Sequence, residues 1–208
     1  MSIITSIKSQ KDGKRVNINL DGSFGFGIDL ENLMKLQLKV NQELNEEEIK
    51  EIIKKAEFQK SLDKTINFCL VRPRSVKEVT DFFKRKEIDR TLQEEIVKRL
   101  EKLELIDDIK FAKWWIEQRL EFRSKSKKDI VQELRTKGVK QEIINQVLQN
   151  TEIDEVKIAK ELMKKKMYKW KNLEPRLTRQ KITQYLAGKG FTWDVINKIL
   201  TKSTKVYS

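Results

Sequence analysis

The chain has no histidine among its 208 residues and only one cysteine, Cys69. Without histidine it lacks the commonest general base and the commonest metal ligand in proteins, which excludes most familiar catalytic sites. One cysteine cannot form an intramolecular disulfide or a cysteine-cluster zinc site, and this fits a reducing compartment. We therefore expect no enzymatic activity, no metal and no cofactor, and we predict that Cys69 is a buried apolar residue.

Long apolar runs are also missing. The sequence has no stretch of 18 or more apolar residues, and its first residues lack the apolar segment of a secretion signal. We expect a cytoplasmic protein with no membrane partner.

Positive charge is in excess, with 45 Lys and Arg against 32 Asp and Glu and a formal net charge of +13. The first 60 residues are neutral overall, so the whole excess lies beyond them. A basic surface of this size attracts polyanions or acidic protein faces, and the charge alone does not distinguish between them.

The first thirty residues alternate apolar and polar side chains, as β-strands do. The segments ITSIKSQ and RVNINL flank an Asp-Gly turn signal in KDGK, and a second Asp-Gly pair leads into SFGFGI. This pattern predicts a β-hairpin and a third short strand. Beyond residue 28 apolar residues recur every three and four positions, which predicts helices, and Asn45 followed by three glutamates predicts a helix N-cap.

From about residue 60 the sequence repeats at intervals of 51 to 52 residues. DIVQELRTKGV (129–139) aligns with KITQYLAGKGF (181–191), and both end in Lys-Gly, the signal for a helix closed by a left-handed glycine. A weaker copy, EVTDFFKRKEI (78–88), has Glu87 in place of that glycine. Each copy is flanked by two further amphipathic helices, so three units give nine helices. Units this small must share faces to bury enough apolar surface.

We therefore predict a mainly α fold of three tandem three-helix repeats in an elongated, curved array, with a small N-terminal β-hairpin or three-stranded element. The predicted boundaries are 1–57 for the β-hairpin and leading helices, 58–104 for the first repeat, 105–151 for the second and 152–208 for the third.

Two adjacent carboxylates, Asp107 and Asp108, open the segment IDDIKFAKWWIEQR. Neighbouring helix residues do not face each other, and a metal pair needs further carboxylates that converge on the same point. We therefore predict that both aspartates cap the first helix of the second repeat and interact with its dipole.

The same segment contains a tandem tryptophan pair. At 100° per residue Trp115 shares a face with Phe111, Ala112 and Phe122, which predicts that Trp115 lies in the core. Trp114 points away from that face and is the member of the pair that we expect to be exposed.

Basic residues of the second and third repeats form a predicted interaction surface. LMKKKMYKWK (162–171) combines lysines with Tyr168 and Trp170, a mixture that binds phosphates and stacks bases, although inward packing of Trp170 explains the aromatics equally well. RSKSKKDI (123–130) places cations around a helix N-terminus, either as an anion site or as a flexible loop. The third repeat is the most basic, with 14 Lys and Arg against 6 Asp and Glu from residue 151 onward. The residues assigned to this partner-binding or DNA-binding basic face are Arg119, Arg123, Lys125, Lys127, Lys128, Arg135, Lys164, Lys165, Lys166, Lys169, Trp170, Arg176, Arg179 and Lys181.

Several motifs, in their order and spacing, resemble the RecX regulatory proteins of bacteria over nearly the whole chain. These motifs are LIDDIKFAKWW, IVQELRTKGV, RPRSVKEV and GKGFTWDVI, together with the N-terminal VNINLDGSFGFGID and NEEEIKEII. The chain departs from the family pattern at Glu87 and around Ser126, where many members have glycine, and these departures affect loop geometry.

The resemblance implies a regulatory protein that is not an enzyme and whose partner is the RecA filament on single-stranded DNA. It implies inhibition of the ATPase and recombinase activity of RecA, and hence a role in DNA repair, recombination and the SOS response. We expect a monomer, and single- or double-stranded DNA stays open as a further partner.

Two other functions are compatible with parts of the sequence. KKDIVQELRTKGVKQEII reads as a helix-turn-helix, which would make the protein a DNA-binding module that acts without RecA. A carboxylate-dependent nuclease using Asp107 and Asp108 is the weaker alternative, since no histidine is present.

Overall fold

The computed structural model describes residues 1–11, 13–122 and 124–203. Asp12 of the predicted first turn, Arg123 of the predicted basic face and residues 204–208 of the predicted third repeat lie outside this part. Within it the chain forms four β-strands and ten α-helices, which confirms a mainly helical protein with a small N-terminal strand element. The chain divides into two compact units: unit 1 is Met1–Arg72 with Phe82–Leu105, and unit 2 is Pro73–Asp81 with Ile106–Ser208.

Unit 1 begins with an antiparallel sheet in the order β3-β2-β1-β4. The turn between its second and third strands consists of Asp21 and Gly22 with φ of 51° and 84°, as a two-residue turn with both φ values positive requires. The predicted hairpin and third strand are therefore confirmed. The fourth strand was not predicted, because two residues are too few to show a period. The strands are β1 (Ser2–Ser9), β2 (Arg15–Leu20), β3 (Ser23–Asp29) and β4 (Glu43–Leu44).

The inner face of this sheet packs against a long helix. A short helix α1 (Leu30–Lys35) leads to α2 (Glu46–Leu70), which begins at Asn45 with a reciprocal capping box to Glu48, as the sequence predicts. Alternate strand residues and one face of α2 form a common core that includes Ile4, Ile18 and Ile52. Because α2 runs unbroken for 25 residues, the predicted boundary between residues 57 and 58 falls inside a helix.

The rest of unit 1 completes the first repeat. Helix α3 (Val76–Arg85), through which the division between the units passes, is followed by α4 (Arg90–Lys102), which packs against α2. The rings of Phe68 and Phe82 stack with centroids 4.4 Å apart. Cys69, the residue that follows Phe68, is buried, as predicted.

Unit 2 contains the second and third repeats, each built around its own core. The second core is centred on Phe111, Ile130 and Ile144, and the third on Ile182 and Leu186. No helix among the residues that the structure describes combines the length and the apolar character needed to cross a bilayer. The helices of unit 2 are α5 (Asp108–Phe122), α6 (Lys127–Thr136), α7 (Gln141–Gln149), α8 (Glu155–Met167), α9 (Pro175–Gly188) and α10 (Trp193–Ser203).

The middle helix of each repeat ends in a left-handed residue, which the sequence predicts for the two copies that end in Lys-Gly. Gly138 and Gly190 have φ of 80° and 78°, and Glu87, which replaces the glycine in the first repeat, adopts a φ of 52°. The N–H of the apolar residue that follows each of them returns to a carbonyl five residues earlier, at 3.0 to 3.2 Å. This is the hydrogen bond of a Schellman motif, which satisfies a carbonyl at the helix end.

Candidate functional site

The two adjacent aspartates cap two different helices. Asp107 Oδ1 accepts hydrogen bonds from the backbone N–H groups of Ile109 at 2.7 Å and Lys110 at 3.0 Å, so it caps α5 as predicted. Asp108 Oδ1 instead accepts from the N–H of Val76, the first residue of α3, at 3.0 Å. Asp108 lies in the first turn of α5, where its charge interacts with the helix dipole as predicted, but the prediction was wrong about the helix that it caps, because its partner lies 32 residues away and leaves no local sequence signal.

This arrangement does not favour a nuclease site. The described part of the chain contains no group of three or more Asp, Glu or Cys side chains that could hold a metal ion. Burial raises the pKa of Asp108 above its ordinary value, with the neighbouring Asp107 charge acting in the same direction and the Val76 N–H against it. Both carboxylates are occupied by backbone donors, and a helix cap accounts for each of them.

Trp115 lies among charged side chains of the second repeat that contact its ring or its indole N–H. It is 8% exposed, as predicted, and its Nε1 donates to Glu133 Oε2 at 2.9 Å. The guanidinium of Arg119 lies 3.9 Å from the Trp115 ring centroid and its Nε donates to the same Glu133 oxygen, while Lys137 Nζ lies 5.0 Å from the ring. Lys125 pairs with Glu133 at 3.4 Å. Arg119 and Lys125 are thus engaged within the protein.

The pKa of Glu133 reflects these neighbours. Burial acts to raise it, but the hydrogen bonds from Arg119 and Trp115 and the charges of Arg119 and Lys125 outweigh burial and hold the pKa below its ordinary value. Glu133 is therefore ionised at neutral pH and joins α5 to α6.

Two other aromatic residues of α5 are more exposed than Trp115. Trp114 is only half-exposed, because its ring lies 6.1 Å from Phe111 and 6.0 Å from Trp115 and packs on the core. Phe122 is 66% exposed, since it is the last residue of α5 and lies outside the core cluster. Helical periodicity predicts which side of a helix a side chain lies on. It does not predict how much of the helix the other helices of the repeat pack against.

Backbone N–H groups at the N-terminus of α6 already donate to acceptors within the protein. Ser126 is fully buried, and its Oγ accepts from the N–H of Asp129 at 3.2 Å. The N–H of Lys127 donates to Glu155 Oε1 at 2.9 Å. These donors would have to exchange their partners to bind an external anion, which disfavours the anion-site interpretation of RSKSKKDI. The side chains of Lys127 and Lys128 are exposed beside them.

The third repeat exposes most of its predicted cations. Lys164, Lys165 and Lys169 on or after α8 are exposed, and Lys166 is half-buried. On α9 the exposed cations are Arg176, Arg179 and Lys181, and in the second repeat Arg135 is exposed while its Nε donates to Gln141 at 2.7 Å.

The aromatic residues next to these cations differ from one another. Trp170 is half-buried, packs on the core of the third repeat and contacts Tyr185 with ring centroids 5.7 Å apart. Tyr168 is 71% exposed, and Lys169 Nζ lies 5.8 Å from its ring. Inward packing therefore explains Trp170, and Tyr168 is the aromatic that this segment presents at the surface.

The helix-turn-helix interpretation receives only geometric support. Helices α6 and α7 are joined by the Gly138 turn, as such a motif requires. The second helix of the pair, QEIINQVLQ, contains no Lys or Arg, although this is the position from which bases are usually contacted.

Comparison with known proteins identifies the architecture. Family models described as "Regulatory protein RecX N-terminal domain", "RecX, second three-helix domain" and "RecX, third three-helix domain" match residues 2–45, 107–148 and 152–200. The regulatory protein RecX of Bacillus licheniformis is 34% identical over 205 residues, which cover 98% of this chain and 78% of that protein. The regulatory protein RecX of Listeria monocytogenes serotype 4a is 34% identical over 204 residues, covering 97% and 76%.

Solved structures agree with this assignment. A crystal structure of regulatory protein RecX matches with a TM-score of 0.75 and 28% identity, covering 96% of this chain and 98% of that one. The crystal structure of RecX from Lactobacillus salivarius matches with a TM-score of 0.64 and 26% identity, covering 70% and 96%. The chain therefore belongs to the RecX family of regulatory proteins.

Proposed function

We propose that this protein binds the RecA filament on single-stranded DNA and inhibits its ATPase and recombinase activity, and thereby tempers recombination and the SOS response. Membership of the RecX family supports the proposal. The observation that carries it on physical grounds is the set of exposed cations on α8 and α9 of the third repeat.

The exposed cations suit a partner that presents acidic protein surface and nucleic-acid phosphates. Arg176 and Arg179 can pair with a carboxylate or phosphate through two parallel N–H donors, and Lys164, Lys165 and Lys181 act as point charges. Such a surface speeds encounter with an anionic partner and orients it. Inhibition then follows from occupation of the filament surface and needs no chemical step.

The internal network around Trp115 has a supporting role in this proposal. Arg119 and Lys125 neutralise Glu133 and keep α5 and α6 together, so the exposed Lys127, Lys128 and Arg135 are carried on a fixed helix. The proposed contact surface therefore rests on the exposed cations rather than on Arg119 and Lys125.

Charge reversal tests this surface. Changing Lys164, Lys165 and Arg179 together to glutamate should raise the protein concentration for half-inhibition of RecA by about tenfold or more, because three cations are replaced by repelling charges. Inhibition is measured as loss of single-stranded-DNA-dependent ATP hydrolysis by RecA.

A matched control separates a specific surface from net charge. Lys50, Lys54 and Lys64 are exposed on α2, and changing them to glutamate lowers the net charge by the same amount. This control should retain inhibition to within about twofold. Equal loss in the two triple variants would show that only overall charge matters and would remove α8 and α9 from the proposed contact.

Direct DNA binding is the competing outcome. Binding to duplex DNA without RecA, with a base preference and a steep salt dependence, together with no effect on RecA hydrolysis, would favour the helix-turn-helix interpretation over our proposal.

A further inference from the structure

The N-terminus of α3 is closed by groups from the second repeat. Ser75 is fully buried; its Oγ accepts from the N–H of Glu78 at 3.1 Å and donates to the carbonyl of Lys137, at the end of α6, at 2.8 Å. The N–H of Val76 donates to Asp108 at 3.0 Å, and Lys137 Nζ lies 2.6 Å from Glu78 Oε1. The positive end of α3 thus meets the negative end of α6 and a carboxylate.

The N-terminus of α6 is closed in the same way by the third repeat. Buried Ser126 caps α6, and the N–H of Lys127 donates to Glu155 at 2.9 Å. Gly190, at the end of α9, lies directly over this cap, since a Cβ built on Gly190 would be 2.7 Å from Ser126 Oγ and 2.9 Å from Asp129 Oδ1.

The two arrangements are equivalent in sequence. Ser75 and Ser126 are 51 residues apart, and Gly138 and Gly190 are 52 apart. Each accepting carboxylate belongs to the first residue of the next repeat's first helix, Asp108 of α5 or Glu155 of α8. We call each arrangement a joint: a serine cap, a carboxylate from the next repeat and the glycine turn of the next repeat's middle helix.

Only glycine fits at the turn. A Cβ on Gly138 would lie 2.5 Å from Lys77 Cβ and 2.8 Å from Lys77 Cδ, whereas carbon atoms in contact are about 3.5 to 4.0 Å apart. A side chain at Gly138 would therefore push α6 away from α3, in addition to the cost of a positive φ.

The N-terminus of α9, the middle helix of the third repeat, is built differently. Its cap residue Glu174 makes no side-chain cap hydrogen bond, and Pro175 is the first helical residue. Pro175 has the position in α9 that Val76 has in α3 and Lys127 in α6. Because proline has no N–H, α9 lacks the backbone donor that Asp108 and Glu155 accept from in the two joints.

We infer that Gly138 and Gly190 are positioning residues, whose joints fix the placement of the N-terminal part of α3, of α6 and of α9 within unit 2 and hence the spacing of the cations that bind the filament. This inference rests on the proposed function. The second joint connects α6, which carries Lys127, Lys128 and Arg135, to α9, which carries Arg176, Arg179 and Lys181, so its opening changes the distances between these two sets of charges.

The test compares Gly190→Ala, which opens the second joint, with two other alanine substitutions. Gly22→Ala introduces the same strain without a clash, since Gly22 has a φ of 84° and no atom would lie within 4 Å of a Cβ at that position. Gly188→Ala introduces neither strain nor a contact. Helical content is followed by circular dichroism, the second joint by hydrogen exchange at the Lys127 amide, and function by inhibition of RecA ATP hydrolysis.

We expect Gly190→Ala to keep its helical content, to exchange the Lys127 amide faster and to need about tenfold more protein for half-inhibition, which corresponds to about 1.4 kcal/mol of binding free energy. Both controls should stay within about twofold of the unchanged protein. Gly138→Ala opens the first joint and should speed exchange at the Val76 amide; adding Lys77→Gly, which removes the atoms that a Cβ at position 138 would meet, should restore slow exchange there.

Other results would overturn the inference. Unchanged exchange at Lys127, or inhibition by Gly190→Ala equal to that of Gly22→Ala, would show that the second joint does not position the cations. If Gly190→Ala fails to fold, Glu155→Ala decides in the same way, because it removes the acceptor of the Lys127 N–H in the second joint. If the unchanged protein does not inhibit RecA, the proposed function fails and the positioning role falls with it, although exchange at Lys127 still reports whether the second joint exists.

Discussion

Replacing Trp115 by alanine tests the packing of the second repeat. Trp115 is 8% exposed, lies 5.6 Å from the Phe111 ring and donates to Glu133, and the Arg119 guanidinium lies on its ring. The substitution therefore removes a buried aromatic group, a hydrogen bond and a cation–π contact together.

The expected loss of stability can be worked from these contacts. Truncation of a buried tryptophan costs about 3 to 5 kcal/mol. The hydrogen bond to Glu133 contributes about 1 kcal/mol net, and the Arg119 contact about 0.5 to 1 kcal/mol. These contributions share atoms and do not add fully, so we expect the free energy of unfolding to fall by about 4 kcal/mol.

The assay is urea unfolding followed by circular dichroism, since tryptophan fluorescence is itself altered by the change. Trp193→Ala is the matched control, because Trp193 is 62% exposed and the same atoms are removed. We expect the control to change stability by at most about 0.5 kcal/mol. A Trp115→Ala protein that is within about 1 kcal/mol of the Trp193→Ala protein would refute the assignment of Trp115 to the core.

Further predictions follow from the carboxylates and the basic surface. The raised pKa of Asp108 means that the folded protein binds the proton more tightly, so ionisation of Asp108 costs stability as pH rises from the ordinary value of 3.8 through the folded value. Asp108→Asn keeps an oxygen for the Val76 N–H and should be at least as stable at pH 7 in urea unfolding, whereas Asp108→Ala should lose about 1 kcal/mol; equal losses in the two variants would contradict the capping role. The lowered pKa of Glu133 means that its stabilising contribution is present above the ordinary value of 4.5 and disappears as pH falls through the folded value. Glu133→Gln should therefore flatten the loss of stability in acid measured by thermal unfolding, and an acid profile unchanged by the substitution would show that Glu133 is not the group responsible.

Much of the fold could be predicted because each element has a local signal. The Asp-Gly pair at residues 21 and 22 specifies a two-residue hairpin turn, and Asn45 with Glu48 specifies the start of α2. The Lys-Gly pairs at 137–138 and 189–190 marked the ends of α6 and α9. The alignment of the repeats shows that these positions are equivalent, but not that each turn docks on the preceding repeat.

Other features depend on contacts between residues that are distant in sequence. Asp108 precedes a helix and looks like its cap, yet its partner is the N–H of Val76 in the first repeat. Arg119 looks like one more surface cation, but Glu133 and Trp115, 14 and 4 positions away, engage it within the protein. A charge count cannot separate such paired residues from exposed ones such as Arg176 and Arg179.

The measurement that tests the central claim most directly is a titration of RecA ATP hydrolysis on single-stranded DNA with this protein, at about 50 mM and about 200 mM salt. Our account predicts that hydrolysis is suppressed at saturating protein under both conditions, with a higher concentration needed at the higher salt. Hydrolysis that stays unchanged at saturating protein, or suppression that is absent at the higher salt, would contradict specific binding to the filament.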